Sequence, residues 1–200
     1  MTIPLHCDVR YADRLPADKF TGQYHPGEII DRVVPDLVTG IDQMEGVPEK
    51  SLDFVVACHV IEHTPIPLLT FETVYSRLKE GGQFVLVVPD KQFTFDKDRE
   101  LTPLEHFILD YRSRSRDRDW EHYVEWHTKA FPCPPETRDA FVRNAFEAGI
   151  DIHYHTWTFE SFAEMVEYSR GRISPWSEVW SHPTPREFEE AIEFYFVLTK

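Results

Sequence analysis

The sequence predicts an α/β fold with a mostly parallel sheet, helices on both faces and an antiparallel C-terminal strand. Three observations carry this. Residues 52–89 run strand, helix, strand, and both strands are short apolar runs of the kind buried inside a sheet. A helix between two such strands is a βαβ unit, which implies parallel pairing. The last two strand candidates, Ile173–Trp180 and Phe194–Thr199, are joined by a loop and predict an antiparallel end to the sheet.

Val9–Ala12 is a short strand candidate ending at Asp13. Pro16, Gly22, Pro26 and Gly27 break residues 14–28, leaving room for a short helix only. Ile29–Val38 reads as a second strand region interrupted at Pro35. A polar turn, Pro48–Ser51, leads into Leu52–Cys58, read as a strand covered on both faces. Pro67–Lys79 carries a helical apolar stripe at Leu68, Leu69, Phe71, Val74, Tyr75 and Leu78. Glu80-Gly81-Gly82 reads as its glycine stop. Phe84–Val88 is the next strand, stopped by Pro89. Thr102–Tyr111 is predicted helical, with Thr102 as N-cap, Pro103 in the first turn and Glu105 as capping-box partner. Residues 112–135 read as irregular, 135–148 as a helix closed by Gly149, Asp151–Thr156 as extended, and Thr158–Tyr168 as a helix with a threonine cap.

At 200 residues the chain is expected to be a single domain, with 91–135 as an inserted substrate or lid region. Its 35 acidic against 21 basic residues give a formal charge of −14, a field that repels phosphate backbones and argues against nucleic acid. Arg112, Arg114, Arg116 and Arg118 alternate with Ser and Asp and read as a solvated loop rather than an anion site. The three cysteines lack CxxC spacing, so neither a disulfide scaffold nor a cysteine zinc site is expected. With no signal-like start and no apolar run of membrane-spanning length, a cytoplasmic location is the expectation.

The segment from Asp42 through Leu52-Asp53-Phe-Val-Val-Ala-Cys58-His59-Val-Ile-Glu62-His63, followed by Leu78-Lys-Glu-Gly-Gly-Gln-Phe-Val-Leu-Val-Val-Pro89, resembles the class I S-adenosylmethionine-dependent methyltransferases. Phe93–Asp96, Arg99, Thr102, Glu105-His106, Asp110-Tyr111 and His153–Thr158 resemble a bacterial, glycan-associated group within them. The resemblance covers about residues 8–200 and implies a Rossmann-like sheet, S-adenosylmethionine as cofactor, and a small-molecule or glycan hydroxyl as methyl acceptor. It implies Asp13 at the ribose hydroxyls, Asp42 at the adenine amine, and Cys58 and His59 at the methionine end, since ligands of open α/β sheets bind beyond the carboxyl ends of the strands. His63, His106, His155 and Asp96 are the candidate bases near the acceptor. Asp53 starts its strand away from that crevice and reads as structural. Most of Tyr111, Trp120, Trp126, Trp157, Trp176 and Trp180 are expected to pack in the core.

One departure from the family pattern stands out. No strand with a glycine-rich cofactor loop precedes Val9, so the first strand is missing or atypical. Either the chain starts late, or residues 1–6, a second copy or a partner chain fill that place in the sheet, or the cofactor is no longer bound. A catalytically silent, methyltransferase-like binding protein is therefore the alternative reading. His59-Val-Ile-Glu62-His63 also spells HxxEH, but it follows a strand directly and Thr64-Pro65 cuts off a helix, so no zinc is expected there. His153 and His155, two apart in an extended segment, are expected to face one polar pocket together rather than to ligate metal.

Overall fold

The computed structural model describes residues 6–22, 33–188 and 190–200. It is a mixed α/β structure, as the pattern predicts. In chain order its elements are β1 (Ala12–Asp13), β2 (Leu37–Val38), β3 (Leu52–Cys58), α1 (Pro67–Arg77), β4 (Leu78–Pro89), α2 (Leu104–Ser113), α3 (Asp119–Lys129), α4 (Arg138–Glu147), α5 (Phe159–Arg172), β5 (Glu178–His182) and β6 (Glu193–Thr199). β1 pairs with β2 in parallel, and β3 with β4 in parallel across α1. β6 lies antiparallel to both β4 and β5. The ladders form two pieces, β1-β2 and β3-β4-β6-β5, so β1 and β3 each keep one edge without a ladder partner among the described residues.

Period-two burial explains the core. Phe84, Leu86 and Val88 on β4 and Phe194, Phe196 and Leu198 on β6 alternate inward and are almost wholly buried. Leu68, Phe71 and Val74 of α1 and Phe162, Met165 and Val166 of α5 cover that face, joined by Phe107, Trp157 and Trp176. The opposite face, at Val85, Val87, Tyr195 and Val197, is half-buried. Tyr123 and Trp126 of α3, Val142 and Ala145 of α4, and Ile152 and Tyr154 form a second, smaller core. Trp126, Trp157 and Trp176 pack as expected, whereas Trp180 is exposed.

Several expectations need correction. β3 is not covered on both faces: Ala57 is buried, whereas Val56 and Cys58, which point to the opposite face, are exposed. β1 and β2 are two-residue strands, shorter than predicted, and residues 29–32 of the second region lie outside the described residues. The glycine pair does not cap α1. Leu78 is already extended, and Gly81 (φ +76°) sits inside β4, where the register slips between Leu52 and Phe54. A β-bulge uses glycine for the same reason a helix end does. Thr102 is not the cap of α2, which starts at Leu104 after Pro103 without a side-chain cap. Its Oγ1 accepts instead from the Thr156 amide at 3.4 Å. Residues 119–129 are helical rather than irregular, because Tyr123 and Trp126 face a core that α4 and Ile152 supply. Thr158 caps α5 as expected, with Ser161 completing the box.

The arginine run is not a free loop either. Arg114 bonds Glu72 at 2.6 Å, Arg116 bonds Asp119 at 2.6 Å, and Arg118 grips Asp110. Asp53 pairs with Lys79 at the strand's start, in line with a structural role.

Two glycines separate crowding from open space. A Cβ on Gly82 would stand 2.9 Å from the Lys79 carbonyl and 3.1 Å from that of Leu52, both backbone, whereas one on Gly171 in α5 meets nothing within 4 Å. Gly82→Ala is expected to destabilise by about 2 kcal/mol, and Gly171→Ala to stabilise by about 0.5 kcal/mol. Opposite shifts in the urea midpoint check both.

Candidate functional site

β3 delivers Cys58 to the carboxyl end of the sheet. The His59 amide adds one more bond, to the Val87 carbonyl at 3.0 Å, and the chain then leaves the sheet through a left-handed residue, His59 itself at φ +51°. A 3₁₀ turn, Ile61–His63, follows. Ile61 is wholly buried and anchors the turn, which drags Glu62 inside with it. Neither carboxylate oxygen of Glu62 has a hydrogen-bond partner among the described residues. The nearest bases stand just beyond bonding distance, His59 Nδ1 at 3.7 Å and His63 Nε2 at 3.9 Å. Burial pushes the Glu62 carboxyl above its ordinary range, against the pull of His63, its own backbone amide, His153 and His59.

Around Glu62 stand two histidines, each oriented by a carboxylate. His63 Nδ1 lies 3.0 Å from the Ile152 carbonyl and 3.3 Å from Asp151. Burial would lower its pKa, but Asp151, Glu62 and the Ile152 carbonyl outweigh burial and raise it. His153 Nδ1 lies 2.6 Å from Asp96, and its ring meets that of His63 edge-on at 4.7 Å. Burial raises the Asp96 carboxyl, yet His153 and Arg99 more than offset that and hold it below the usual range. Arg99, also buried, reaches on to Glu125 at 2.7 Å. Glu62, His63 and His153 offer ligand atoms within 4.8 Å of one another, a donor set a divalent cation accepts.

The residues expected at the cofactor lie around this centre. Asp13 ends β1, and its Oδ1 accepts from the Leu15 amide at 2.8 Å. Arg14 beside it pairs with Asp151 at 3.2 Å, and Asp151 in turn holds His63, so a chain of charges joins the end of β1 to the turn after β3. Asp42 lies in the turn after β2, half-buried. Its Oδ1 approaches to 2.5 Å of where a Cβ on Gly40 would be, so only glycine leaves that carboxylate its place. Cys58 is exposed, and burial of its sulfur, then Glu193 and Glu62, push the thiol up, away from nucleophile chemistry. His59 bonds Glu193 at 3.1 Å.

A family model described as a methyltransferase domain matches residues 16–167. The chain belongs to this family, the class I S-adenosylmethionine-dependent methyltransferases. No curated protein matches it. Solved structures similar to it include a SAM-dependent methyltransferase of Thermotoga maritima, at 12% identity and a TM-score of 0.43, over 82% of this chain and 64% of that one. One from Methanosarcina mazei shares 14% at 0.41, over 86% and 71%. An arsenic(III) S-adenosylmethionine methyltransferase of Chlamydomonas reinhardtii shares 14% at 0.34, over 82% and 44%. This methyltransferase domain thus spans under two thirds of the length of the first of them.

Of the four candidate bases in the methyltransferase domain, the structure joins His63 to Asp96 through His153. It places His106 and His155 in a separate set with Asp110 and His122. His153 and His155 therefore do not share one pocket: the first turns to Asp96 and the second to His106 and His122. Sequence reasoning missed Glu62 and Asp151 as members of the site, although Glu62 lies inside the quoted motif. It also missed Asp110, one helical turn beyond His106, and His122, whose helix read as a loop.

Asp96→Ala would leave buried Arg99 with only Glu125 and the Tyr154 carbonyl and is expected to cost about 3 kcal/mol. Asp53→Ala, which breaks an exposed pair, should leave the denaturation midpoint unchanged. For Glu62 the sign follows from a folded-state pKa that lies above the unfolded one. Burying the charged form is unfavourable at high pH, and that penalty fades as pH falls through the folded pKa towards the unfolded value. Glu62→Gln is thus expected to be more stable than wild type by on the order of 1 kcal/mol at pH 8, with the gap closing on acidification. Paired denaturation curves across pH check this.

Proposed function

We propose that this chain transfers a methyl group from S-adenosylmethionine to a hydroxyl of a small molecule or glycan. The observation that supports this most is the family match over residues 16–167. The fit of the residues to the cofactor supports it too. The carboxylates of Asp13 and Asp42 stand at the ends of two parallel strands, at the ligand-binding end, and a Cβ on Gly40 would displace the Asp42 carboxylate. Asp13 would hold the ribose hydroxyls, Asp42 the adenine amine, and the backbone at Cys58 and His59 the methionine end. When bound, S-adenosylmethionine supplies an electrophilic methyl group.

The chain's own part is alignment and proton handling. His63 is the favoured base: Asp151 and the Ile152 carbonyl hold its Nδ1 proton, which leaves Nε2 to take a proton from an acceptor hydroxyl. Asp96 acts as a positioning residue, since it fixes His153 rather than facing a substrate. Residues 91–135, which follow β4 and carry α2 and α3, would serve as the substrate-facing insertion of a single-domain protein. A strand from elsewhere, most simply a second copy or a partner chain, would occupy the free edges of β1 and β3. No described helix is long and apolar enough to cross a membrane, and we infer a cytoplasmic setting from the sequence.

The two ladders, unjoined among the described residues, favour a second reading, a catalytically silent methyltransferase-like protein that binds a partner or another ligand in place of the cofactor. Calorimetric titration with S-adenosylhomocysteine separates the two. The enzyme reading expects saturable binding that Asp42→Ala weakens at least about 10-fold, the cost of one hydrogen bond to a charged group. No binding by folded protein would overturn it in favour of the silent reading.

A further inference from the structure

The second histidine set lies apart from the residues assigned to the cofactor. His106 and Asp110 are one turn apart on α2 and share a face. His106 Nε2 lies 2.9 Å from Asp110 Oδ2 and 3.2 Å from Nε2 of His122, which α3 supplies. His155 arrives from the extended segment between α4 and α5, with its ring centroid 4.8 Å from that of His122 and 5.4 Å from that of His106. It is 1% exposed. Its Nε2 bonds the Pro65 carbonyl at 3.0 Å, which fixes the proton there, and its Nδ1 lone pair has no partner among the described residues.

We propose that His106, Asp110, His122 and His155 bind one divalent cation of the zinc class, which clamps α2, α3 and the segment before α5 together. The ligand atoms already lie within 4.8 Å of one another. A tetrahedral ion with bonds of 2.0–2.1 Å needs ligand separations of about 3.4 Å, so two of the contacts are close to that spacing and His155 has to close in. Three imidazoles and one carboxylate suit zinc or a neighbouring late first-row metal, not calcium or magnesium, which take oxygen. Four protein ligands make a closed, structural site rather than a catalytic one. The outer contacts are those a metal site uses. The Pro65 carbonyl orients His155, and Arg118 holds the other oxygen of Asp110, leaving Oδ2 for the ion. The cation replaces the proton that His106 Nε2 now shares with Asp110. That proton moves to Nδ1, so that the imidazole stays neutral, and the 3.4 Å approach of Arg118 there gives way.

The site does not depend on methyl transfer, and failure to bind S-adenosylhomocysteine leaves it untouched. The test uses the full chain without a histidine tag, stripped with chelator and titrated with Co²⁺ and Zn²⁺. One equivalent of Co²⁺ with the intense visible bands of tetrahedral coordination is expected, as is a rise in melting temperature of about 5 °C with Zn²⁺. His122→Asn and Asp110→Asn should weaken binding by at least about 100-fold, while His63→Ala retains it. No binding by folded protein overturns the proposal. So does binding that His63→Ala abolishes and His122→Asn keeps, which would assign the ion to Glu62, His63 and His153. Should the variants fail to fold, X-ray absorption on the wild type decides: three imidazoles and one oxygen support the site, and an oxygen-rich shell overturns it.

Discussion

The structure around the site hangs on seven residues, 151–157, that run extended without joining either sheet. A strand inside a ladder satisfies its backbone groups from its neighbours, and this one has none beyond a single bridge from Trp157 to Asp90. Every buried amide and carbonyl must therefore find a partner in a different element. Ile152 offers its carbonyl to His63, and Tyr154 takes the Glu62 carbonyl with its amide and gives its own carbonyl to Arg99. Thr156 bonds the Glu100 carbonyl through its hydroxyl, and the Trp157 carbonyl accepts from Lys91. This one stretch ties the turn after β3, the chain beyond β4, and α2 into a single body. Trp157, wholly buried and stacked on Phe107, fastens its end to the main core.

The same constraint explains why so many charged groups sit inside. Side chains of an extended segment alternate, but this segment is enclosed on all sides, so His153, Tyr154 and His155 are all buried. Each polar tip then needs a partner, and the elements around it supply Asp96, Arg116 and the Pro65 carbonyl. Glu62 differs: neither oxygen of its buried carboxylate has a hydrogen-bond partner among the described residues. An uncompensated charge of that kind costs stability and is kept where chemistry uses it.

How much of this was legible in the sequence depended on whether a signal was local. The apolar runs 52–58 and 84–88 and the stripe at 68–78 are complete within themselves, and the βαβ unit they form followed directly. So did the carboxyl-end position of Asp13, Asp42, Cys58 and His59. α3 was not legible. Asp119–Lys129 is strongly polar, and what makes it a helix of the core is Val142, Ala145 and Ile152, which lie well beyond its end in the chain. Losing α3 concealed His122 and with it the company that His106 and His155 keep. The fate of the double glycine was ambiguous for a different reason: a helix stop and a bulge ask the same freedom of the backbone, and only the pairing of Leu52 with Leu78 decides.

The two histidine sets divide the site's demands between them. Glu62, His63 and His153 stand next to the end of β3, linked by Asp151 and Arg14 to the end of β1, where a ligand of this sheet would lie. His106, Asp110, His122 and His155 stand behind them, joining helices that no strand joins. α2 and α3 share few apolar contacts: Phe107 belongs to the main core and Tyr123 to the small one. Dispersion alone gives little reason for these helices to hold a fixed distance. The polar set between them does, whether through hydrogen bonds or through an ion. A rigid second group is what the first requires, because His153 and His155 are two residues apart on one extended segment, and anything that fixes one fixes the reach of the other.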